Sequence, residues 1–268
     1  MRIVVKVAGA LLESAEGLAN ASAQIAQLAK GGAEVLVVHG GGKAFTATLA
    51  QMGIASRFVK GLRVTDRQTR DAAVMVLGGL LNKRLAAAVS SKGVPAVGLC
   101  AADALAFSSE PMFVEGEEGG LGYVGYLADL NLEFLERLWH AGLIPVAACL
   151  GMGRDGEIYN INADHMAAAC AEYAHADQLL YLTDVPGVLD GEAVLENVDY
   201  ARVDDLVRSG KVRGGMALKL EACRRALDAG VPEVRLVPGL VPGALMAAAR
   251  GGPAPGTRIA NVAESHAA

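Results

Sequence analysis

Short apolar runs of strand length alternate along the chain with longer segments that carry helical signals. The runs are rich in Val, Ile and Leu and predict strands at residues 3–7, 34–39, 96–100, 144–148, 178–183 and 233–237. The intervening segments predict helices at residues 22–30, 65–91, 131–141, 163–175 and 216–229. Glycine follows most of these segments closely and is the expected helix stop. Thr65 and Gln68 have the spacing of a capping box at the start of the second helix.

This alternation predicts an α/β fold, a three-layer α/β/α sandwich with a mainly parallel central sheet and helices on both faces. Ligands in such sheets bind beyond the carboxyl ends of the strands. Residues 108–127 are the exception, because five glycines alternate there with aromatic and aliphatic residues. They predict a β-hairpin with a glycine-rich tip, which is either a lid over a substrate or a surface hairpin without a role. A soft boundary at residues 172–177 predicts two lobes, 1–175 and 176–268.

Composition and charge narrow the class of protein. The chain has 268 residues, of which 53% are hydrophobic and 20% charged, and this excludes a disordered or fibrous protein. A net charge of −5 leaves no basic face for nucleic acid or a lipid surface. The four cysteines are far apart, which indicates reduced, buried thiols. Lys6 and Glu13 interrupt the apolar amino terminus and no run of 18 apolar residues occurs, so we expect no membrane partner and a cytoplasmic location.

Two turns that follow predicted strands could bind an anion. In the segment KVAG at residues 6–9, the Lys6 ammonium and the backbone N–H groups of the turn could contact phosphate, although a surface lysine is also typical there. In HGGGK at residues 39–43, three glycines permit close approach of a ligand to the backbone. Neither segment fits a P-loop or a dinucleotide-binding motif. The second predicts an anion or carbonyl cradle, and a merely tight turn is the alternative.

Three later segments add polar groups at the ends of predicted elements. NINAD at residues 160–164 precedes a helix, and capping explains one asparagine but not two together with Asp164. TDVPGV at residues 183–188 carries a strand into a turn. RGGMALK at residues 213–219 places Lys219 in the first turn of a predicted helix, where a cation is disfavoured unless an anion also binds.

Three further motifs are GLRVTD at residues 61–66, NK at 82–83 and GTRI at 256–259. Taken in chain order with the five segments above, they resemble the amino-acid kinase family over essentially the whole chain, and within it the N-acetylglutamate kinases. The resemblance implies the amino-acid kinase fold, in which residues 1–175 bind the acyl amino acid and form a homodimer while residues 176–268 bind ATP. It implies transfer of the γ-phosphoryl group of ATP to the γ-carboxylate of N-acetyl-L-glutamate, in arginine biosynthesis. Mg²⁺ would accompany ATP, without a protein ligand.

The resemblance also assigns roles to residues. The two lysines would contact the transferring phosphoryl group, the aspartate would position both lysines, and the glycines would present backbone N–H groups. The arginine would pair with the α-carboxylate of the substrate, and the asparagine would lie near its acetamido group. The catalytic candidates are Lys6, Gly9, Asp164 and Lys219, and the substrate-binding candidates are Gly41, Gly42, Arg63 and Asn160. The nucleotide-binding candidates are Asp184, Val185, Pro186, Gly187, Val188, Leu189, Lys211, Val212 and Arg213.

Some features depart from the family pattern or leave alternatives open. Ala8 stands where the family usually has glycine, which would cost stability if the turn needed a positive φ. The acceptor could be another acylated glutamate, such as N-succinylglutamate, or aminoadipate or glutamate linked to a carrier protein, although the acidic chain disfavours an acidic carrier. A sensor that binds an amino acid or nucleotide without turnover is the alternative from another class. Because the first strand begins near residue 2, we expect a dimer without arginine inhibition.

Overall fold

The computed structural model describes residues 1–116, 120–208, 212 and 214–260, and its centre is an eight-stranded sheet. The strands of the described residues are β1 (Arg2–Val7), β2 (Glu34–His39), β3 (Phe58–Val59), β4 (Leu62–Arg63), β5 (Ala96–Leu99), β6 (Phe107–Pro111), β7 (Val124–Leu130), β8 (Ile144–Ala148), β9 (Leu150–Gly153), β10 (Ile158–Ile161), β11 (Gln178–Thr183), β12 (Leu189–Asp190), β13 (Ala193–Val194), β14 (Asn197–Asp199), β15 (Glu233–Pro238) and β16 (Thr257–Ala260).

Helices connect and cover these strands. They are α1 (Gly9–Glu13), α2 (Ala15–Lys30), α3 (Gly42–Gln51), α4 (Arg67–Ala73), α5 (Asn82–Ser90), α6 (Leu132–His140), α7 (Ala163–Tyr173), α8 (Tyr200–Arg208), α9 (Gly215–Asp228) and α10 (Ala244–Ala249). A π-helical segment, Val74–Leu81, joins α4 to α5, and a 3₁₀ turn spans Asp103–Leu105.

The sheet has the strand order β14-β16-β15-β11-β1-β2-β8-β5. Its neighbouring strands are parallel except for β15 and β16. Alternate residues of β1 and β2 enter two hydrophobic layers on opposite faces; Val4 and Leu36 belong to one, and Val5 and Val37 to the other. The predicted α/β sandwich is therefore confirmed. Because β1 pairs with both β2 and β11, the sheet is continuous across the boundary predicted at residues 172–177.

The hairpin predicted within residues 108–127 is part of a second, smaller sheet. Strands β6 and β7 pair antiparallel, as predicted, but they close with β9 and β10 into a four-stranded barrel. Residues 117–119 at the hairpin tip lie outside the described residues. The chain beyond the tip is tied to Thr65, whose N–H donates to Leu121 O at 2.9 Å and whose carbonyl accepts from Tyr123 N at 2.7 Å. The role of the hairpin as a lid stays a prediction.

The helical run at residues 67–90 differs from prediction at its start. Asp66, and not Thr65, caps the helix, because its carboxylate accepts from the Thr69 N–H at 2.8 Å. Thr65 instead donates its hydroxyl to Arg63 O at 2.8 Å. By length and composition alone this run, Arg67–Ser90, could cross a membrane, but 56% of its most apolar window is buried inside the fold.

Candidate active site

A cavity of about 290 Å³ opens at the carboxyl ends of β1 and β2. The cavity is lined by the turns that follow these two strands, by the β3–β4 ribbon, by residues of the barrel and by the first turn of α7. This position is the one expected for a ligand site in a parallel sheet. The lining residues include Lys6, Gly9, Gly41, Gly42, Arg63, Asn160 and Asp164, all of which were predicted as catalytic or substrate-binding residues.

Two lysines share the carboxylate of Asp164. The Nζ atoms of Lys6 and Lys219 each lie 2.8 Å from Asp164 Oδ1. Lys6 comes from the central strand β1 and Asp164 from the first turn of α7. Lys219 is the fifth residue of α9, because that helix begins at Gly215 and not at Met216 as predicted. The three side chains together carry a net charge of about +1 and suit an anionic ligand.

Burial and the neighbouring charges both shift the pKa values of Asp164 and Lys219. Burial raises the pKa of Asp164, but the two ammonium groups outweigh it and hold that pKa well below its usual range. Burial, and then the nearby charge of Lys6, lowers the pKa of Lys219, while Asp164 opposes this shift. Asp164 therefore stays ionised and hydrogen-bonded to both lysines, which makes it a positioning group and a poor general base.

Two glycine turns meet at the cavity, backbone against backbone. A Cβ atom added to Gly9 would lie 2.9 Å from the Cα atom of Gly41 and 3.2 Å from its nitrogen. Gly9 and Gly42 open α1 and α3, where backbone N–H groups have no intrahelical acceptor. Ala8 has φ −65°. The turn needs no positive φ there, and alanine is accommodated without the expected cost.

The Arg63 side chain lines the cavity outside the lysine cluster, and its guanidinium group suits an anion. Its guanidinium stacks between the rings of Phe45 and Phe58, with Cζ 4.7 and 4.6 Å from the ring centroids. It donates to the hydroxyls of Thr46, at 2.7 Å, and Ser56. Within the described residues no carboxylate pairs with it, although it is only 9% exposed. A buried, unpaired guanidinium favours a carboxylate ligand, which it can bind through two hydrogen bonds.

The two asparagines before α7 have different roles. Asn162 caps the helix, because its Oδ1 accepts from the N–H groups of Asp164 and His165 at 2.9 and 3.1 Å. Asn160 lies on β10, lines the cavity, and donates to Thr65 Oγ1 at 3.2 Å. Capping thus explains one of the two asparagines, and contact of Asn160 with a substrate stays a prediction.

The described residues of the predicted nucleotide segments are not among those that line this cavity. Residues 184–189 follow β11, and within them Val188 is buried with its N–H donating to Thr257 Oγ1 at 2.8 Å. Lys211 and Arg213 lie outside the described residues, while Val212 is buried and its N–H bonds to Leu206 O at 3.2 Å. The nucleotide assignment of residues 184–189 and 211–213 stays a prediction.

Sequence reasoning missed Tyr181 and gave His39 no role. Tyr181 is fully buried on β11; its hydroxyl donates to the backbone carbonyl of Asp164 at 3.1 Å and its ring lies 5.0 Å from Lys219 Nζ. A tyrosine inside an otherwise aliphatic strand was the available signal. His39, at the end of β2, is also fully buried. Burial lowers its pKa to about 4; a hydrogen bond to Gly40 O opposes the shift, and the charge of Lys6 adds to it.

His39 predicts a pH dependence of folding. An unfolded histidine takes up a proton near pH 6.5, whereas folded His39 does so only near pH 4. Its contribution to stability is therefore complete above about pH 6.5 and is lost as the pH falls toward 4, by about 3 kcal/mol in total. Chemical denaturation from pH 4 to 7 should show a shallower loss of unfolding free energy in His39→Asn than in the wild type. Parallel curves would contradict the assignment.

The described residues do not form a metal centre of their own. They contain no group of three or more His, Cys, Asp and Glu side chains that could hold a metal ion. Asp164 is the one carboxylate among the described lining residues, and both lysines already contact it. The described lining residues therefore do not fit a protein-held Mg²⁺.

The fold and the site together define a class of α/β proteins. In this class, lysines and glycine turns that suit anionic ligands lie together at the carboxyl edge of a parallel sheet. The family model described as "Amino acid kinase family" matches residues 1–238. The chain belongs to the amino acid kinase family.

Individual relatives agree with this membership. The chain is 50% identical over 240 residues to a protein named acetylglutamate kinase from Koribacter versatilis (strain Ellin345), covering 89% of this chain and 90% of that protein. It is 44% identical over 236 residues to acetylglutamate kinase from Methanopyrus kandleri, covering 86% and 92%. Its fold matches N-acetylglutamate synthase from Neisseria gonorrhoeae with a TM-score of 0.85 at 24% identity, covering 97% of this chain and 59% of that longer one.

Proposed function

We propose that this chain is an ATP-dependent kinase that phosphorylates the γ-carboxylate of N-acetyl-L-glutamate, in arginine biosynthesis. The observation that carries the proposal is the pair of lysines held 2.8 Å from one partly buried carboxylate, beside the glycine turns and Arg63. The identity of 44–50% to proteins named acetylglutamate kinase supports the acceptor.

The reaction needs charge stabilisation more than it needs a base. A carboxylate nucleophile is already ionised at neutral pH. Its approach to a phosphate is opposed by about 4 kcal/mol for like unit charges 4 Å apart at an effective dielectric constant of 20. Lys6, Lys219 and the N–H groups of the glycine turns would offset this repulsion most strongly in the transition state. Asp164 would hold both ammonium groups in place.

The two lobes divide the substrates in this proposal. Residues 1–175 would bind the acyl amino acid, with Arg63 on its α-carboxylate and Asn160 near its acetamido group, and would form the homodimer interface. Residues 176–268 would bind MgATP, with the segments 184–189 and 211–213 along the nucleotide. Lys219 would then approach the γ-phosphate from α9 while Lys6 approaches from β1. We place the enzyme in the cytoplasm, where both substrates are available.

The first test is acyl-phosphate formation from MgATP, trapped with hydroxylamine. The panel is N-acetylglutamate, N-succinylglutamate, glutamate, aspartate and N-acetylaspartate. Product confined to N-acetylglutamate supports both acceptor and chemistry. Preference for N-succinylglutamate would keep the mechanism and correct the acceptor. No product with any of the five would overturn the proposal and favour a carrier-protein kinase or a sensor.

Removal of the Arg63 guanidinium should weaken acceptor binding. In Arg63→Ala we expect the KM for N-acetylglutamate to rise about 100-fold, because a charged hydrogen-bonded pair contributes about 1.5–3 kcal/mol. The KM for ATP should change little. Arg154→Ala is the matched control, since that side chain is 93% exposed on the β9–β10 turn. An unchanged acceptor KM in Arg63→Ala would refute the role.

A further inference from the structure

The described structure fixes the tautomer of His39. Its Nε2 lies 3.1 Å from Asn82 Nδ2, and its Nδ1 lies 2.9 Å from Gly40 O. Asn82 Nδ2 also lies 2.8 Å from Val146 O and 3.4 Å from Leu99 O, so an amide turned the other way would set its oxygen against two carbonyl oxygens. The amide therefore donates to Nε2, which must accept. The ring proton is on Nδ1 and is donated to Gly40 O.

Asn82 occupies its site at a cost to folding. It is fully buried where the π-helical segment passes into α5, and its Oδ1 has no hydrogen-bond partner. Gly98 leaves the space that this oxygen occupies, since a Cβ atom added to Gly98 would lie 2.0 Å from it. An apolar side chain would avoid the unpaired acceptor. The amide is therefore explained by the contacts of its nitrogen, which are His39 Nε2 and the carbonyls of Val146 on β8 and Leu99 on β5.

The hydrogen bond to Gly40 O also orients the next N–H group. Gly40 C=O and Gly41 N–H belong to one peptide, and the described chain contains no cis peptide bond. In a planar trans peptide these two groups point in opposite directions. With Gly40 O directed at the buried ring, Gly41 N–H points away from the core, beside Gly9 in the cavity wall. Within the described residues no backbone acceptor meets it.

This peptide would rotate easily without such a restraint. Glycines flank it on both sides, so no Cβ atom opposes a flip that would exchange the N–H for the carbonyl. A carbonyl oxygen at this position would repel the transferring phosphoryl group. We propose that His39 and Asn82 are positioning residues that lock the Gly40–Gly41 peptide with its N–H directed at the reacting anions. This inference rests on the proposed function and adds two residues to it.

The test compares two substitutions that differ in the donor. His39→Leu removes it, whereas the amide nitrogen of His39→Asn can occupy the Nδ1 position. In His39→Leu we expect kcat to fall about 10- to 100-fold, with the acceptor KM changed less than about 3-fold, because one oriented donor is lost from the transition state. His39→Asn should recover most of the rate. Equal rates in the two variants, or a loss confined to KM, would overturn the proposal.

A second variant tests whether Asn82 acts through His39. Asn82→Leu should lower kcat. The double variant His39→Leu/Asn82→Leu should be no slower than His39→Leu alone. Additive losses of kcat would contradict the inference that Asn82 acts through His39. The control is Gln178→Leu, which removes another buried amide whose oxygen is also unpartnered and whose nitrogen bonds Ala249 O. It should cost stability and leave kcat within about 2-fold.

A readout without turnover separates this inference from the proposed function. Nitrogen NMR of wild-type His39 should show a protonated Nδ1 and an unprotonated Nε2, and Asn82→Leu should give a mixture of tautomers. A protonated Nε2 in the wild type would contradict the proposed orientation of the Gly40–Gly41 peptide, whichever substrate the enzyme phosphorylates. A wild type that forms no acyl phosphate but has the expected tautomer would instead count against the proposed function.

Discussion

Lys219→Ala should lower kcat about 100- to 1,000-fold and leave the KM for N-acetylglutamate within about 3-fold of the wild type. The ammonium group lies 2.8 Å from Asp164 Oδ1, and under the proposed function its contact with the phosphoryl group should be strongest in the transition state. The fold should survive, because Lys6 still pairs with Asp164. Initial rates of trapped acyl phosphate at varied acceptor concentrations measure both constants.

Lys30→Ala is the matched control for this substitution. That lysine is exposed at the end of α2 and its Nζ donates to Lys92 O, away from the cavity. Its removal should leave both constants unchanged. If Lys219→Ala lowered kcat and raised the acceptor KM by equal factors, its proposed contact with the transferring group would be wrong.

Asp164→Asn should lose both activity and stability. It removes the one negative charge between two ammonium groups, so they repel each other and leave the geometry needed for transfer. We expect kcat to fall about 100-fold or more. The unfolding free energy should fall by about 3 kcal/mol, as for a buried ion pair that loses one partner. Rates and chemical denaturation at pH 7 measure the two effects.

A double variant separates these two effects. Asp164→Asn/Lys219→Met removes one of the two repelling charges, so it should regain much of the lost stability while it stays inactive. The sign of the pH dependence gives a further check. The pKa of Asp164 is lowered by folding, so the stability that its charge contributes is present above about pH 4 and is lost below it. Wild-type activity or stability in Asp164→Asn would contradict the proposal that the Asp164 carboxylate holds both lysines in place.

Local signals were sufficient for the elements that bear the site. The predicted strands at residues 34–39, 144–148 and 178–183 have the observed bounds, because each contains an apolar run that is buried in a parallel sheet. The glycine turns after β1 and β2 were also placed correctly. The helix cap was misplaced by one residue because Thr65 and Asp66 are both good caps, and only the contact of Asp66 with Thr69 N decides between them.

Except for the β6–β7 hairpin, the pairing of strands in the four-stranded barrel could not be predicted from local sequence signals. Strands β9 and β10 of the barrel have only four residues each, and the segment before α7 gave only polar signals at residues 160–164. The pairing of β10 with β7 joins distant parts of the chain and depends on how both segments pack over the cavity. Periodicity within one segment carries no information about that partner.

By itself the sequence determined the fold class, the candidate residues and the family, because glycine turns, apolar runs and motif order are local properties of the chain. The tertiary structure alone decided which of these residues meet. Strand order places β11 beside β1, and this brings α7 and α9 together so that Lys6 and Lys219, from opposite ends of the chain, share Asp164. It also decided that His39 is buried and neutral behind the glycine turn. Burial and long-range charge arise from packing, and no single segment of the sequence encodes them.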